Sequence, residues 1–359
     1  MKRWLLSRRL LIQVAIIGKK GYAMDLTTKY MGLSLKNPLI ASPSPLSHNL
    51  KHIKELANSG VAAIVIHSLF EEQLFEEEHN RASIIESYSD SFAESLSYFP
   101  EYSLAATGPT PYLNMIKAAR AETDIPIIAS LNGSTMGNWT LFSKEMEDSG
   151  ASAIELNLYS PIMDLDITGN EIEQLHLDIF TSVKKAVSIP VAVKLSPMYT
   201  SFVNVAKKFD SLGADGIVIL NRYIYPDIDL DTLEVTSAVH LSDKNEIRLP
   251  LALISSLRNY VKADIAATTG VESVDEVIKY LLVGANVVMT TSAILKKGLH
   301  YVNQIISDLN NWLESRGCGD LNEIRGTLSH SQHDDHNYYR SDYVAALQKA
   351  NRNPYGWKN

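Results

Sequence analysis

Lys194, the lysine of VAVKL, stands inside an apolar run, where a charged side chain has to point inward or be paired. Three roles suit it: a Schiff-base amine, a fixed cation beside a reduced cofactor ring, or an ion pair with Glu155. Other residues able to do chemistry recur at the ends of similar short apolar runs. They are Ala41-Ser42, His67-Ser68, Asn132-Gly133, Asn157 with Ser160, Ser196 and Asn221. Farther on, ATTGVES (267–273) and TTSAI (290–294) place hydroxyls and a helix start after such runs, at Thr268-Thr269-Gly270 and Thr290-Thr291-Ser292. Two turns of this kind offer N–H groups and hydroxyls together, which points to a bound phosphate more than to two helix caps. The collection is rich in amides and hydroxyls. It holds no pair of carboxylates and no His/Asp/Glu cluster, so glycosidase-type acid pairs, two-metal hydrolysis and any metal site there are disfavoured.

These residues need elements that gather them. Short β-rich apolar runs lie at 38–42, 62–68, 126–132, 153–160, 191–196, 216–221, 264–269 and 286–291, and most are continuous rather than alternating. Strands covered on both faces read that way. Helical patterns fill the intervals, and several end in a glycine stop followed at once by a strand, as at 59–60, 149–150 and 283–286. Eight such units predict an α/β chain folded as a (β/α)₈ TIM barrel, with function on the carboxyl ends of the strands. No G-x-G-x-x-G follows the first strand, which argues against a Rossmann domain. Two excursions, 69–109 after strand 2 and 222–249 after strand 6, both leave from carboxyl ends. The EEQLFEEE of the first reads as a solvated helix face.

The chain has 359 residues, 45% hydrophobic and 21% charged, enough to bury a large core without staples. Its one cysteine, Cys318, excludes a disulfide framework and a Cys-ligated zinc or iron–sulfur site of its own. With 33 basic against 41 acidic residues, net −8, no nucleic-acid footprint is expected. Residues 1–23 are basic and interrupted at Arg8-Arg9, which suits a disordered or non-native leader and no stable membrane insertion. The barrel is expected over 24–326. A polar tail over 327–359 carries His330, His333 and His336, a weak metal signal, and one short helix near 343–350.

The runs NPLIASP (37–43), ELNLYSPI (155–162), VKLSP (193–197) and ILNR (219–222), together with the two phosphate turns, resemble dihydroorotate dehydrogenase in register across about residues 25–316. The soluble class 1 branch is the nearer. The resemblance implies a cytoplasmic FMN barrel that oxidises dihydroorotate to orotate in pyrimidine biosynthesis. Carried over by position, Ala41, Ser42, Ser68 and Asn132 would line the flavin, and Asn157 would touch flavin and substrate. Lys194 would sit by the N1/O2 edge and Asn221 would face the substrate. Thr269, Gly270, Thr291 and Ser292 would hold the phosphate. Ser160 falls on the family's catalytic base, taking the C5 proton while C6 delivers hydride to flavin N5. A homodimer and a separate electron-transfer subunit both fit the family, which uses fumarate, NAD through a partner, or quinone as acceptor.

The chain also departs from the pattern. Ile162 replaces a substrate-binding Asn, His67-Ser68 replaces Lys-Ser, Thr269 replaces one glycine of a Gly-Gly turn, and a glycine pair near Leu249 is absent. The stretch after strand 2 is LFEEQLFEEEHNRAS in place of the family's Asn-bearing loop. These changes open a second reading, the same flavin chemistry on another small CH–CH substrate. A third is a Schiff-base lyase using Lys194.

Overall fold

A computed structural model describes residues 24–70, 72, 109–133, 139–159, 164–222, 226–236, 240–330 and 338–351. The 1–23 leader, Ser160 and nearly all of the first excursion therefore lie outside the described residues. In chain order the elements are β1 (Thr28–Tyr30), β2 (Leu33–Leu35), β3 (Leu39–Ala41), α1 (Leu50–Asn58), β4 (Ala63–Phe70), α2 (Pro109–Glu122), β5 (Ile127–Gly133) and α3 (Trp139–Asp148). Then come β6 (Ala153–Leu158), α4 (Gly169–Ala186), β7 (Val191–Leu195), α5 (Phe202–Ser211), β8 (Gly216–Ile219), β9 (Asp227–Asp229) and β10 (Glu234–Thr236). The last are α6 (Arg248–Leu257), β11 (Asp264–Ala267), α7 (Val274–Val283), β12 (Val287–Thr290), α8 (Ser292–Lys297), α9 (Tyr301–Ser315) and α10 (Tyr338–Asn351).

Eight parallel strands close a barrel in the order β3-β4-β5-β6-β7-β8-β11-β12, with β12 pairing β3. Alternate side chains separate two cores. Ile40, Val65, Ile128, Val218 and Val287 pack inside, whereas Leu39, Ile64, Ile127, Ile217 and Val288 face the helices. That double burial explains why the strands read as unbroken apolar runs. Capping boxes start α4 (Thr168 with Glu171) and α7 (Ser273 with Glu276).

The β1–β2 hairpin was not legible as such, because its strands are only three residues each. It plugs the amino-terminal end of the barrel. Tyr30 is fully buried among the inner side chains, and the Met31 N–H donates to Asp264 Oδ2 at 2.8 Å. Gly216 makes room for it: a Cβ there would stand 3.0 Å from the Tyr30 hydroxyl. With that end filled, the open rim is the carboxyl one.

The eight strands fall where expected; six stop one or two residues sooner, where polar residues leave the ladder for the rim, whereas β4 and β5 run on to Phe70 and Gly133. The second excursion contains a β9–β10 ribbon and the segment 240–247. The segment expected to be a free tail stays hydrogen-bonded to the barrel as far as His330, whose N–H donates to Ser255 O at 3.0 Å. The tail helix, α10, is longer than the 343–350 expected.

Candidate active site at the carboxyl rim

The rim opens into a cleft of about 510 Å³ counted out to solvent. Its wall carries Lys194 from β7, Asn221 and Arg222 after β8, and Ser42 after β3. The turns after β11 and β12 supply Thr268, Thr269, Thr290, Thr291 and Ser292, and Leu220, Val271 and Met289 make its apolar part. The lining thus holds seven hydroxyl side chains, two cations and no carboxylate. That donor set suits an anion.

The two turns are built for close approach. Thr269 and Gly270 both take left-handed backbone, φ +74° and +71°, and a Cβ on Gly270 would sit 2.9 Å from both Asp243 O and Ile247 N. A β-branched residue adopts that conformation only under strain, which surrounding contacts must hold in place. The Tyr280 hydroxyl, from α7, does so by donating to the carbonyls of Thr268 and Thr269 at 2.8 and 2.7 Å. The second turn is tied to the first strand, with Ser42 N–H donating to Thr290 O at 3.1 Å and Thr291 Oγ1 to Ser42 O at 3.0 Å.

Segment 240–247 crosses these turns. Ser242 donates from N and Oγ to Ser292 Oγ, at 3.1 and 3.0 Å, and its Oγ accepts from the Gly270 N–H at 3.2 Å. Lys296 Nζ donates to Ser242 O at 2.9 Å. Arg222 holds the segment through Glu246, at 2.7 and 3.1 Å, and through the His240 carbonyl. Sequence reasoning missed Ser242 and Glu246. The only signal was that the excursion leaves from a carboxyl strand end.

Beside Lys194, Asn221 Nδ2 donates to Asn157 Oδ1 at 2.8 Å, joining the two amides expected at the substrate. Lys194 Nζ lies 3.4 Å from Glu155 Oε1, so the ion pair weighed from sequence is present. Ala41 turns its methyl into the outer core, while Ser42 faces the cleft.

The register of β4 shifts between Val65 and Ser68. The shift leaves Ser68 paired with Ser130 Oγ at 2.8 Å, and Asn132 follows on the same strand, β5. His67 goes elsewhere. Its Nδ1–H donates to Ser47 O at 3.0 Å, and its ring stacks on His48 at 3.9 Å and meets Tyr112 edge-on. Burial, with His48 adding to it, lowers the His67 pKa to about 4, so the imidazole is neutral near pH 7.

Among the described residues no group of three His, Cys, Asp or Glu could hold a metal ion, and no helix is long and apolar enough to cross a membrane.

Three comparisons bear on this arrangement. The family model for dihydroorotate dehydrogenase matches residues 25–313. The chain is similar to the catalytic subunit of dihydroorotate dehydrogenase B (NAD(+)) of Thermoplasma acidophilum, 24% identical over 84% of this chain and 98% of that protein. It is also similar to dihydroorotate dehydrogenase A (fumarate) of Lactobacillus helveticus, 30% identical over 60% of this chain and 71% of that one. With its closed barrel, its rim cleft and a family match over most of its length, the chain belongs to the dihydroorotate dehydrogenase family, FMN-dependent oxidoreductases that act on CH–CH groups.

Proposed function

We propose that the rim cleft binds FMN and that the protein oxidises dihydroorotate to orotate, a step of pyrimidine biosynthesis. The observation that carries this reading is the lining itself: seven hydroxyls, two cations and no carboxylate, gathered where the left-handed turn at Thr269-Gly270 meets the hydroxyl-bearing turn at Thr290–Ser292. In this reading Thr269, Gly270, Thr291 and Ser292 hold the phosphate, and Ser242 adds a hydroxyl between the turns. Ser42, Ser68 and Asn132 line the flavin, and Ala41, whose methyl faces the outer core, adds only its backbone. Bound FMN supplies the hydride acceptor, at N5. Lys194 places positive charge at the N1/O2 edge, where reduction gathers negative charge. Asn157 and Asn221 orient the substrate through their amides. Ser160 takes the C5 proton, with a neighbour or a water relay to accept it onward, because a lone hydroxyl is a poor base.

A separate electron-transfer subunit and a homodimer belong to the same reading, as does a cytoplasmic location. The two relatives are named for different acceptors, and a chain with one cysteine needs any iron–sulfur relay to come from another chain.

A second reading keeps the flavin and changes the substrate to another small CH–CH compound. It is favoured by His67, which stands where the family has lysine and is engaged with His48 and Ser47 rather than the cleft. One experiment separates the two. Anaerobic addition of dihydroorotate to the FMN-loaded protein should bleach the visible flavin band. A flavin that stays oxidised with dihydroorotate but bleaches with another dihydropyrimidine would select the second reading. Ser160→Ala should slow bleaching by the true donor by about 10²-fold or more; a rate within about twofold of the parent would remove Ser160 from the chemistry.

A further inference from the structure

Glu155 is a buried titratable group to which the chemistry above gives no task. It is 1% exposed, on β6. In the β6–β7 register Asn157 stands beside Lys194 and Glu155 beside Ala192, so Glu155 lies one inward-facing position deeper in the barrel than Lys194. Lys194 lines the cleft, and Glu155 is sealed behind it.

The pair is poorly made for stability. Its single contact is 3.4 Å, long for a charge-assisted hydrogen bond, and Glu155 Oε2 has no hydrogen-bond partner. Apolar side chains of the same volume would serve the core as well or better, and an orphaned buried polar atom calls for an explanation. The carboxylate's field also carries through this interior. Burial first and Glu155 second push the Tyr30 hydroxyl well above its ordinary pKa.

The geometry points to Glu155 as a positioning residue that offsets the charge of Lys194 and so sets how strongly the cleft prefers reduced over oxidised FMN. The inference rests on the FMN reading above. Hydride adds negative charge to the ring, and Lys194 attracts it. A carboxylate directly behind the ammonium weakens that attraction, and low dielectric makes the effect large at short range.

The test is an equilibrium redox titration of FMN bound to the parent protein, to Glu155→Gln and to Lys194→Met, with a thermal melt of each. Glu155→Gln keeps the side chain's shape and removes its charge. It should raise the preference for reduced FMN by about tenfold or more, which for a two-electron couple is about 30 mV upward. Lys194→Met leaves the carboxylate uncompensated and should shift the potential downward, which keeps the test alive should Glu155→Gln not fold. Opposite signs from the two ends of one ion pair are beyond a merely structural role. A Glu155→Gln potential equal to or below the parent's, or a Lys194→Met potential equal to or above it, overturns the inference. A parent protein that takes up no FMN overturns the cofactor reading itself, and the two failures are thus distinct.

Discussion

Gly270 is the residue where backbone conformation and the site depend on each other most directly. Its φ of +71° and the 2.9 Å approach of Asp243 O and Ile247 N leave no room for a side chain. Gly270→Ala should therefore cost about 1–2 kcal/mol in left-handed strain and more in displacing segment 243–247. Gly32 has φ +75° but nothing within 4 Å of its Cβ position, so Gly32→Ala should show the strain alone. Denaturant midpoints of the two variants make the comparison, and equal losses would mean the close approach is unimportant. Lys194, Asn157 and the two hydroxyl turns were legible because each ends an apolar run, where a polar residue has few structural reasons to be. Ser242 was not, since a serine in an irregular excursion looks like any solvated loop residue until the fold brings it to Gly270 and Ser292. His67 was legible as a departure, but its direction was not, because that depends on a register shift between Val65 and Ser68.

Among the elements, the barrel strands were the most legible and the excursions the least. Double burial writes a continuous apolar run into the sequence, whereas a three-residue ribbon such as β9–β10 writes almost nothing. Segment 240–247 matters nonetheless. Besides the contacts of Ser242 with the turns, it is held by the two-toothed contact of Arg222 with Glu246. Both partners are about one-third exposed, so their contribution to global stability should be small, about 0–1 kcal/mol. Their effect on the phosphate turns should be larger. Glu246→Gln is expected to weaken FMN binding by about tenfold by calorimetry, roughly the weight of one charge-assisted hydrogen bond at Ser242 or Gly270. Unchanged affinity would mean that the segment rests on the turns without support from Arg222. The β1–β2 plug offers a different test. The Tyr30 hydroxyl is fully buried with no hydrogen-bond partner, so Tyr30→Phe should leave stability equal or raise it by about 1 kcal/mol. A clear loss in the thermal melt would show that the hydroxyl is satisfied in solution.

For the whole molecule, the buried His176 and the half-buried His67 set the acid limit. His67 and His176 both have pKa values of about 4 in the fold, lowered chiefly by burial, against an ordinary value near 6.5. The unfolded chain therefore takes up protons first as the pH falls. Their contribution is complete above about pH 6.5 and is lost progressively down to about pH 4, by at most about 3 kcal/mol for each histidine. Urea midpoints should fall across that window, and His176→Gln should flatten the fall; a midpoint independent of pH would contradict the burial of both rings. The central claim, however, concerns the rim. It is tested most directly by titrating flavin-free protein with FMN and with riboflavin, which differ only in the phosphate. Each charge-assisted hydrogen bond to the phosphate is worth about 1.5–3 kcal/mol, so FMN should bind more tightly by at least tenfold, and Ser292→Asp should erase most of that difference. Equal affinity for the two flavins, or binding of neither, would contradict the account.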